Sequence, residues 1–377
     1  MLSILFVTTG LQTGGAEKML VKMLAHLDRS RFDPWVVSLM DEGTQGAAIR
    51  KMGISVSSLR VNTLCGFLSA PWRLAQLMRR KKFEVIQGWM YHGNIFAWLG
   101  RVLSGSNAAL CFGIRQTLSD IRKEKMHTRL AIRANAILAP HTESCLFNSL
   151  ASLEKHQAYG FRSRDMSVIP NGFELDSFFP DPIAAGRLRT ELTLHGSPVV
   201  GLVARFDAAK DHYNFLVAAA KIRSVRQDVT FVMAGRNIVR TNDILFQWIK
   251  ELKLEDAVVM LGERSDVAQL NNMFDVACLS SYMEAFPNVI GEAMACGIPC
   301  AATNVGDCKA IIGDSGSVVP PRDPSALAMA VLNLLALSTS ERSSLGAKGR
   351  ERITEHFDVK KIVGQYEVHY ENMAGLN

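Results

Sequence analysis

VACLSSYMEAFPNVIGEAMACGIPCAA, residues 276–302, holds two short apolar runs, Val276–Leu279 and Pro299–Ala302, and between them a stretch, Val289–Cys296, that reads as a helix. Runs this short have strand length. Strand, helix and strand in succession imply a parallel sheet covered by helices.

The alternation continues outward. Toward the carboxyl end come Ser317–Val319 and a helix at Pro324–Leu337; toward the amino end come Val267–Met273, Val258–Leu261, a helix at Asp243–Leu252, Thr230–Ala234, a helix at Tyr213–Arg226 and Val199–Val203. The first half repeats it with Ser3–Thr8, a helix at Ala16–Leu27, Trp35–Leu39, Ile54–Leu59, a helix at Trp72–Lys82, Val85–Trp89, a helix at Asn94–Leu103, Ala109–Ile114 and Ala136–Ala139. The fold class is therefore α/β, with two Rossmann-like halves in series. A chain of 377 residues exceeds one ordinary core and suits two. Phe178-Phe179-Pro180-Asp181-Pro182 breaks regular structure, so the expected domains are residues 1–180 and 181–355. Arg342–Met373 reads as helical with a break at Phe357-Asp358, and residues 356–377 are expected to cross back to the first domain.

Composition narrows the class. Apolar residues make up 48% and charged residues 21%, which suits a globular protein rather than a disordered one. The run Met1–Val7 reads as a buried strand rather than a leader, and no window is apolar for long enough to span a membrane, so a soluble, cytoplasmic or peripheral protein is expected. Seven cysteines lie mostly in apolar stretches with no Cys-x-x-Cys pair, and the close group Cys296, Cys300 and Cys308 has no histidine nearby, which favours reduced core thiols over zinc. Residues 1–180 carry 22 Lys+Arg against 13 Asp+Glu, whereas the remainder carries 20 against 23. A basic first half suits anionic lipid or a phosphorylated ligand; nucleic acid is disfavoured because no DNA- or RNA-binding motif accompanies the charge.

Three loops that follow strands carry chemistry. Gly14 and Gly15 open the first helix, where backbone N–H groups can approach an anion, although a plain tight turn explains them equally. Arg205 offers a bidentate fork and Lys210 a compact charge, a pair suited to a diphosphate or, alternatively, to a solvated loop. In Glu284–Glu292 two carboxylates flank the start of a helix whose Phe286, Asn288 and Val289 amides suit phosphate, while carboxylates suit sugar hydroxyls; for Glu292 taken alone, complementing the helix dipole is the alternative.

On these residues the chain resembles the family-4 type retaining glycosyltransferases of the GT-B architecture. The Glu-x7-Glu segment Glu284–Glu292 and the following Ala-Cys-Gly-Ile-Pro stretch carry the resemblance, supported by Gly14-Gly15-Ala16-Glu17, Val168-Ile169-Pro170-Asn171-Gly172, Arg205 with Lys210, and Ala234-Gly235. It implies a nucleotide diphosphate sugar, by family frequency a UDP-sugar, as donor. Arg205 and Lys210 would bind the diphosphate, Glu292 the ribose, and Glu284 the transferred sugar; Phe286, Asn288 and Val289 would give backbone contacts, and Gly14 and Gly15 would let the first loop approach. Arg236, Gly262 and Arg264 fall where similar enzymes hold the base. His92 matches a histidine placed near the anomeric carbon, with a structural histidine as the alternative. Arg115 would bind acceptor or donor phosphate, with surface packing the alternative. His92, Glu284, Arg205 and Lys210 are thus the catalytic candidates, and His92 and Arg115 the acceptor-side ones.

One departure stands out: after Val305-Gly306-Asp307 similar sequences often carry glutamate three residues later, and this chain has Ala310. No Asp-x-Asp occurs, so metal-independent transfer without a cofactor is expected. Phe67–Lys82 joins aromatics to a basic end and reads either as a bilayer-resting segment or as an ordinary sheet-covering helix; Arg122, Lys123, Lys125, Arg129 and Arg133 form a second basic cluster. The expected acceptor is a saccharide, lipid-linked, of a cell-envelope polysaccharide. The rival readings are a nucleotide-sugar epimerase of the same architecture and a non-catalytic phosphoglycan-binding protein; a nicotinamide enzyme is disfavoured because the Gly-x-Gly-x-x-Gly fingerprint is missing.

Overall fold

The structure, a computed structural model, describes residues 1–12, 14–118, 121, 124–194 and 196–376. Arg122 and Lys123 of the second basic cluster lie outside them. The chain divides into two compact units, Met1–Gly172 with Val359–Asn377, and Phe173–Asp358.

The first unit runs β1 (Leu2–Thr8), α1 (Gly15–His26), β2 (Phe32–Ser38), α2 (Gly43–Lys51), β3 (Ser55–Ser58), α3 (Leu64–Lys81), β4 (Val85–Trp89), α4 (Met90–Ser104), β5 (Ala109–Ile114), α5 (Met126–Leu138), β6 (Ser144–Phe147), α6 (Leu150–Tyr159) and β7 (Asp165–Val168). The second runs α7 (Pro182–Glu191), β8 (Val199–Val203), α8 (His212–Val225), β9 (Thr230–Ala234), α9 (Asp243–Glu251), β10 (Val258–Met260), α10 (Val267–Asn272), β11 (Val276–Leu279), α11 (Asn288–Ala295), β12 (Cys300–Thr303), α12 (Cys308–Ile312), β13 (Gly316–Val319), α13 (Pro324–Ala336) and α14 (Thr339–His356). α15 (Val359–Met373) returns to the first unit.

Each unit is one parallel sheet: β3-β2-β1-β4-β5-β6-β7 in the first and β10-β9-β8-β11-β12-β13 in the second. Central strands such as Val85–Trp89 and Val276–Leu279 are buried throughout, as strands covered on both faces must be. Both sheets reverse direction once, between β1 and β4 and between β8 and β11. At such a switch point the helices after neighbouring strands leave to opposite faces, which opens a crevice at the carboxyl edge.

α15 belongs to the first unit because of what it buries. Val359, Ile362, Val363, Tyr366 and Tyr370 join one core with Leu20, Met23 and Phe6, and the Tyr370 ring meets Phe6 edge-on at 6.1 Å. Glu367 accepts from the Asp28 backbone N–H at 2.8 Å. The units divide at 172/173 rather than at the expected 180/181, because Phe173 packs in the second unit, stacked on Phe286 at 6.1 Å and donating its N–H to Phe357 at 2.8 Å. Pro182 is no linker: it opens α7, whose first amides are capped by the Asp181 carboxylate.

Three further expectations fail for local reasons. Ala136–Ala139 is the end of α5 and its following turn, not a strand; a short apolar run reads either way. α4 starts at Met90 rather than Asn94, because Met90 takes a left-handed turn (φ 69°) that starts the helix directly off β4. α3 starts at Leu64, not Trp72: the Thr63 hydroxyl accepts from Gly66 N–H at 3.0 Å, and Pro71 deletes only one hydrogen bond on a face that carries exposed Phe67.

Candidate functional site

Two loops leave the switch point of the second sheet, residues 204–211 after β8 and residues 280–287 after β11, and they meet. Lys210 Nζ lies 2.5 Å from Glu284 Oε1, and both side chains are largely buried. Ser281 Oγ donates to the same oxygen at 2.8 Å. The backbones are stitched as well: Tyr282 N–H donates to Ala209 at 3.0 Å and Ser280 Oγ to the Lys210 carbonyl at 2.8 Å. Both donors converge on Oε1, and among the described residues Oε2 accepts no hydrogen bond. The pair sits where water screens little, so its charges act strongly on whatever enters.

The start of α11 adjoins this pair. Its N-cap is Pro287, with no side-chain cap, so the first-turn amides of Asn288 and Val289 stand at the positive end of the helix. Phe286 points its ring into the core against Phe173 and Phe357, leaving only its backbone for a ligand. Glu292 follows one turn into α11, half-buried.

Arg205, Arg236 and Arg264 come together around a cavity of about 150 Å³ at the carboxyl ends of β8 and β9. Gly235 and Glu263 also line it, and Gly262 supports it by accepting the Gly235 N–H at 2.7 Å. Gly235 has to be glycine: at φ 147° an added Cβ would stand 2.2 Å from the Ala204 carbonyl oxygen. Two of the arginines are held in place by local carboxylates. Arg205 binds Asp207 through Nε and Nη2 at 3.3 and 3.1 Å, and Arg264 binds Asp266 at 2.8 and 2.5 Å. Guanidinium hydrogen bonds and charge pull the Asp266 carboxyl below its usual range, so it stays ionised.

Several partners were not among the sequence candidates. Ser281, Asp207 and Asp266 hold the predicted cations and carboxylate, and short polar residues near a motif give no signal of their own. Gly306 (φ 53°), after β12, brings its Cα so close to the Glu284-Ala285 backbone that a Cβ would meet the Ala285 carbonyl at 2.2 Å, and Asp307 N–H donates to that carbonyl at 3.1 Å. The Val305-Gly306-Asp307 signature was visible; its role as a backstop for Glu284 was not.

In the first unit, Gly14 is the N-cap of α1 and Gly15 its exposed first residue. An added Cβ at Gly14 would strike the Glu17 carboxylate, which folds back over it. His92 stands in the first turn of α4, at the switch point with β1, and its ring lies 6.0 Å from that of His127, a neighbour the sequence did not suggest. Burial first, and His127 second, lower the His92 pKa, so the ring is neutral near pH 7. No hydrogen bond to the His92 ring occurs among the described residues. Arg115 is committed to its own unit: it donates to Tyr366 at 2.7 Å and to Asn171 at 2.5 Å and lies 4.4 Å over the Trp89 ring, which supports packing over ligand contact for much of its guanidinium.

A larger hollow, about 670 Å³, lies away from these residues at the amino ends of β4 and β5, lined by Arg79, Lys82, Glu84 and Asn107. Among the described residues no three His, Cys, Asp or Glu are grouped to hold a metal, all seven cysteines are free, and no helix is long and apolar enough to cross a membrane.

Comparison with known proteins follows the same division. Residues 13–177 match the family described as Glycosyltransferase Family 4, and residues 197–337 match Glycosyl transferases group 1. Over 128 residues, 33% of this chain and 33% of that protein, the sequence is 39% identical to N-acetyl-alpha-D-glucosaminyl L-malate synthase of Bacillus anthracis. The chain thus spans about a third of that curated relative. It is 24% identical over 340 residues, 85% of each chain, to UDP-Gal:alpha-D-GlcNAc-diphosphoundecaprenol alpha-1,3-galactosyltransferase of Escherichia coli. Among solved structures, Anabaena HepE in complex with UDP superposes with a TM-score of 0.86 at 24% identity, covering 98% of this chain and 100% of that one. HepE in complex with UDP-glucose gives 0.85 at 24%, covering 99% and 100%.

Proposed function

The chain being a GT-B glycosyltransferase, built from a family 4 domain and a group 1 domain, we propose that it moves a hexose or N-acetylhexosamine from a UDP-sugar to a saccharide acceptor with retention of anomeric configuration. The observation that carries this reading is the meeting of Lys210 and Glu284 beside the uncapped start of α11. Glu284 Oε2 accepts from hydroxyls of the transferred sugar. Lys210, Arg205 and the Asn288 and Val289 amides face the diphosphate, and they take up the negative charge that grows on UDP as the glycosidic bond breaks. Arg236, Gly262 and Arg264 serve the base, and Glu292 the ribose hydroxyls. With fixed cations and a helix dipole in place and no Asp-x-Asp in the sequence, the transfer runs without a metal. To His92, neutral at working pH, falls a positional and electrostatic role toward the reacting carbon; the mechanism uses no carboxylate as a covalent nucleophile, and attack proceeds on the face the leaving group vacates.

The acceptor is lipid-linked, and the product belongs to a cell-envelope polysaccharide. Support comes from the Escherichia coli relative, whose name specifies a diphosphoundecaprenol-linked sugar, and from α3. Leu64, Phe67, Leu68 and Trp72 form a stripe along that helix, each more than half exposed, and α3 carries Arg73, Arg79, Arg80 and Lys81 with no acidic residue. Such a face suits an anionic bilayer and makes the protein peripheral on the membrane's cytoplasmic side. Helices that follow parallel strands start at the carboxyl edge, so the stripe begins at the edge where His92 stands.

The experiment is direct: incubate the protein with a panel of nucleotide sugars and a lipid-diphosphate N-acetylhexosamine, score UDP release, and read the product anomer by NMR. Inversion defeats the retaining mechanism. Conversion of the donor without acceptor returns the epimerase, and no turnover of any donor leaves only a binding protein.

A further inference from the structure

Among the described residues no hydrogen bond secures the His92 ring, which has the His127 ring beside it at 6.0 Å, yet the residues around it are unusually fixed. Trp89 Nε1–H donates to the Ala16 carbonyl at 3.0 Å. Gly93 lies against β1 so closely that a Cβ would stand 2.3 Å from the Val7 carbonyl oxygen. Asn94 accepts from Gly113 N–H at 3.1 Å and donates to Asn135 Oδ1 at 2.8 Å. Asn135 in turn donates to the Tyr91 carbonyl at 2.9 Å. Met90 is left-handed at φ 69°, a conformation that a non-glycine residue keeps only when its surroundings impose it.

The deepest part of this framework is a pair that the transfer chemistry does not touch. Tyr91 Oη and His156 Nε2 are 2.7 Å apart, both residues buried. His156 Nδ1 lies 2.7 Å from the Ser152 carbonyl oxygen, which can only accept, so Nδ1 carries the proton and Nε2 is the acceptor for the Tyr91 hydroxyl. Phe147 and Phe161 wall the ring at 5.3 and 4.8 Å, and Ser152 Oγ donates to the Gln116 carbonyl at 2.7 Å. The pair therefore ties the first turn of α4 to α6 and to the loop after β5, at a site where an unmade hydrogen bond is costly.

We propose that Tyr91 and His156 are positioning residues that act through His92: the neutral Nδ1–H tautomer of His156 holds the Tyr91 hydroxyl, and Tyr91 fixes the strained turn that orients the His92 ring. This rests on the reading of His92 as part of a sugar-transfer site. The geometry favours a role in orientation over one in bulk packing because the restraints flank His92 on both sides while, among the described residues, none of them is a hydrogen bond to its ring. A rigid mounting counts in catalysis, where a displacement of about 1 Å can cost about a hundredfold in rate.

The test compares the full-length protein with Tyr91→Phe, His92→Ala and the double variant. Tyr91→Phe is expected to lower kcat about tenfold with the donor KM within about twofold, and to cost nothing further in the His92→Ala background, as for groups that act in series. Losses that multiply, or a Tyr91→Phe with unchanged kcat, overturn the proposal. A readout free of turnover is the ring 1H–13C NMR signal that disappears in His92→Ala; Tyr91→Phe should shift it, and an unmoved signal overturns the proposal. If the wild-type protein transfers no sugar from any donor, the function reading falls while this signal still decides the mounting. If Tyr91→Phe does not fold, His156→Gln, which keeps an acceptor for Tyr91, is expected to retain more kcat than His156→Leu, and equal losses overturn the proposal.

Discussion

Lys210 and Glu284 are 74 residues apart in the chain, yet Nζ and Oε1 approach to 2.5 Å, each delivered by the loop that follows one of the two strands at the switch point of the sheet. One charge of this pair cannot be removed without stranding the other.

Glu284→Gln keeps the shape and removes the charge. We expect kcat/KM for sugar transfer to fall about 10²- to 10³-fold, measured as initial rates of UDP release. The second unit should also lose stability, because Lys210 is left largely buried without its counter-charge. Adding Lys210→Met should recover part of that stability and none of the activity.

Gly306→Ala forces a left-handed residue and a Cβ against the Ala285 carbonyl, so a loss of about 1–3 kcal/mol is expected, with a fall in kcat as the Glu284-Ala285 backbone yields. Gly196→Ala is the control: φ is also positive, at 75°, but nothing lies within 4 Å, so denaturant melts should show a smaller loss and kcat should hold.

Among the described residues, each unit contains one buried neutral histidine. Burial lowers the pKa of His156 in the first unit and of His212 in the second to about 4, from 6.5. The unfolded chain takes up these protons first, so the stability that neutral burial confers is complete above pH 6.5 and is lost as pH falls toward 4, at about 3 kcal/mol per histidine. Thermal unfolding followed from pH 7 to pH 4 should show the transition temperature dropping across that window, and a flat profile would contradict the buried neutral state.

Phe67→Ser with Trp72→Ser should weaken binding to anionic vesicles at low salt while leaving the rate with a soluble acceptor within about twofold. Each lost aromatic removes about 1.5–3 kcal/mol of bilayer burial, so co-sedimentation should fall at least tenfold. Equal binding by the variant and the wild type would remove α3 from the membrane reading.

Much of the fold was legible because buried parallel strands are short, continuously apolar and separated by helices: Val85–Trp89, Val199–Val203 and Val276–Leu279 agree with the sequence to the residue. β6, β7 and α6 went unremarked because Ser144–Phe147 and Asp165–Val168 are brief and interrupted by polar residues, and only pairing, of β6 with β5 and of β7 with β6, makes them strands. Gly14, Arg205, Lys210 and Glu284 were singled out because each follows a strand, where a parallel sheet puts its ligands. What the sequence hid was pairing: Asp207 with Arg205, Ser281 with Glu284 and His127 beside His92 depend on how the loops close, and short polar residues look alike before they do.

The return of α15 to the first sheet also fixes an order of manufacture. Residues 173–358 leave the ribosome before Val359, so the second unit is complete while the first still lacks the helix that covers Phe6, Leu20 and Met23. The unit synthesised first is therefore the one finished last. Until the final turns of α15 emerge, the nascent chain carries an open apolar flank at Phe6, Leu20 and Met23.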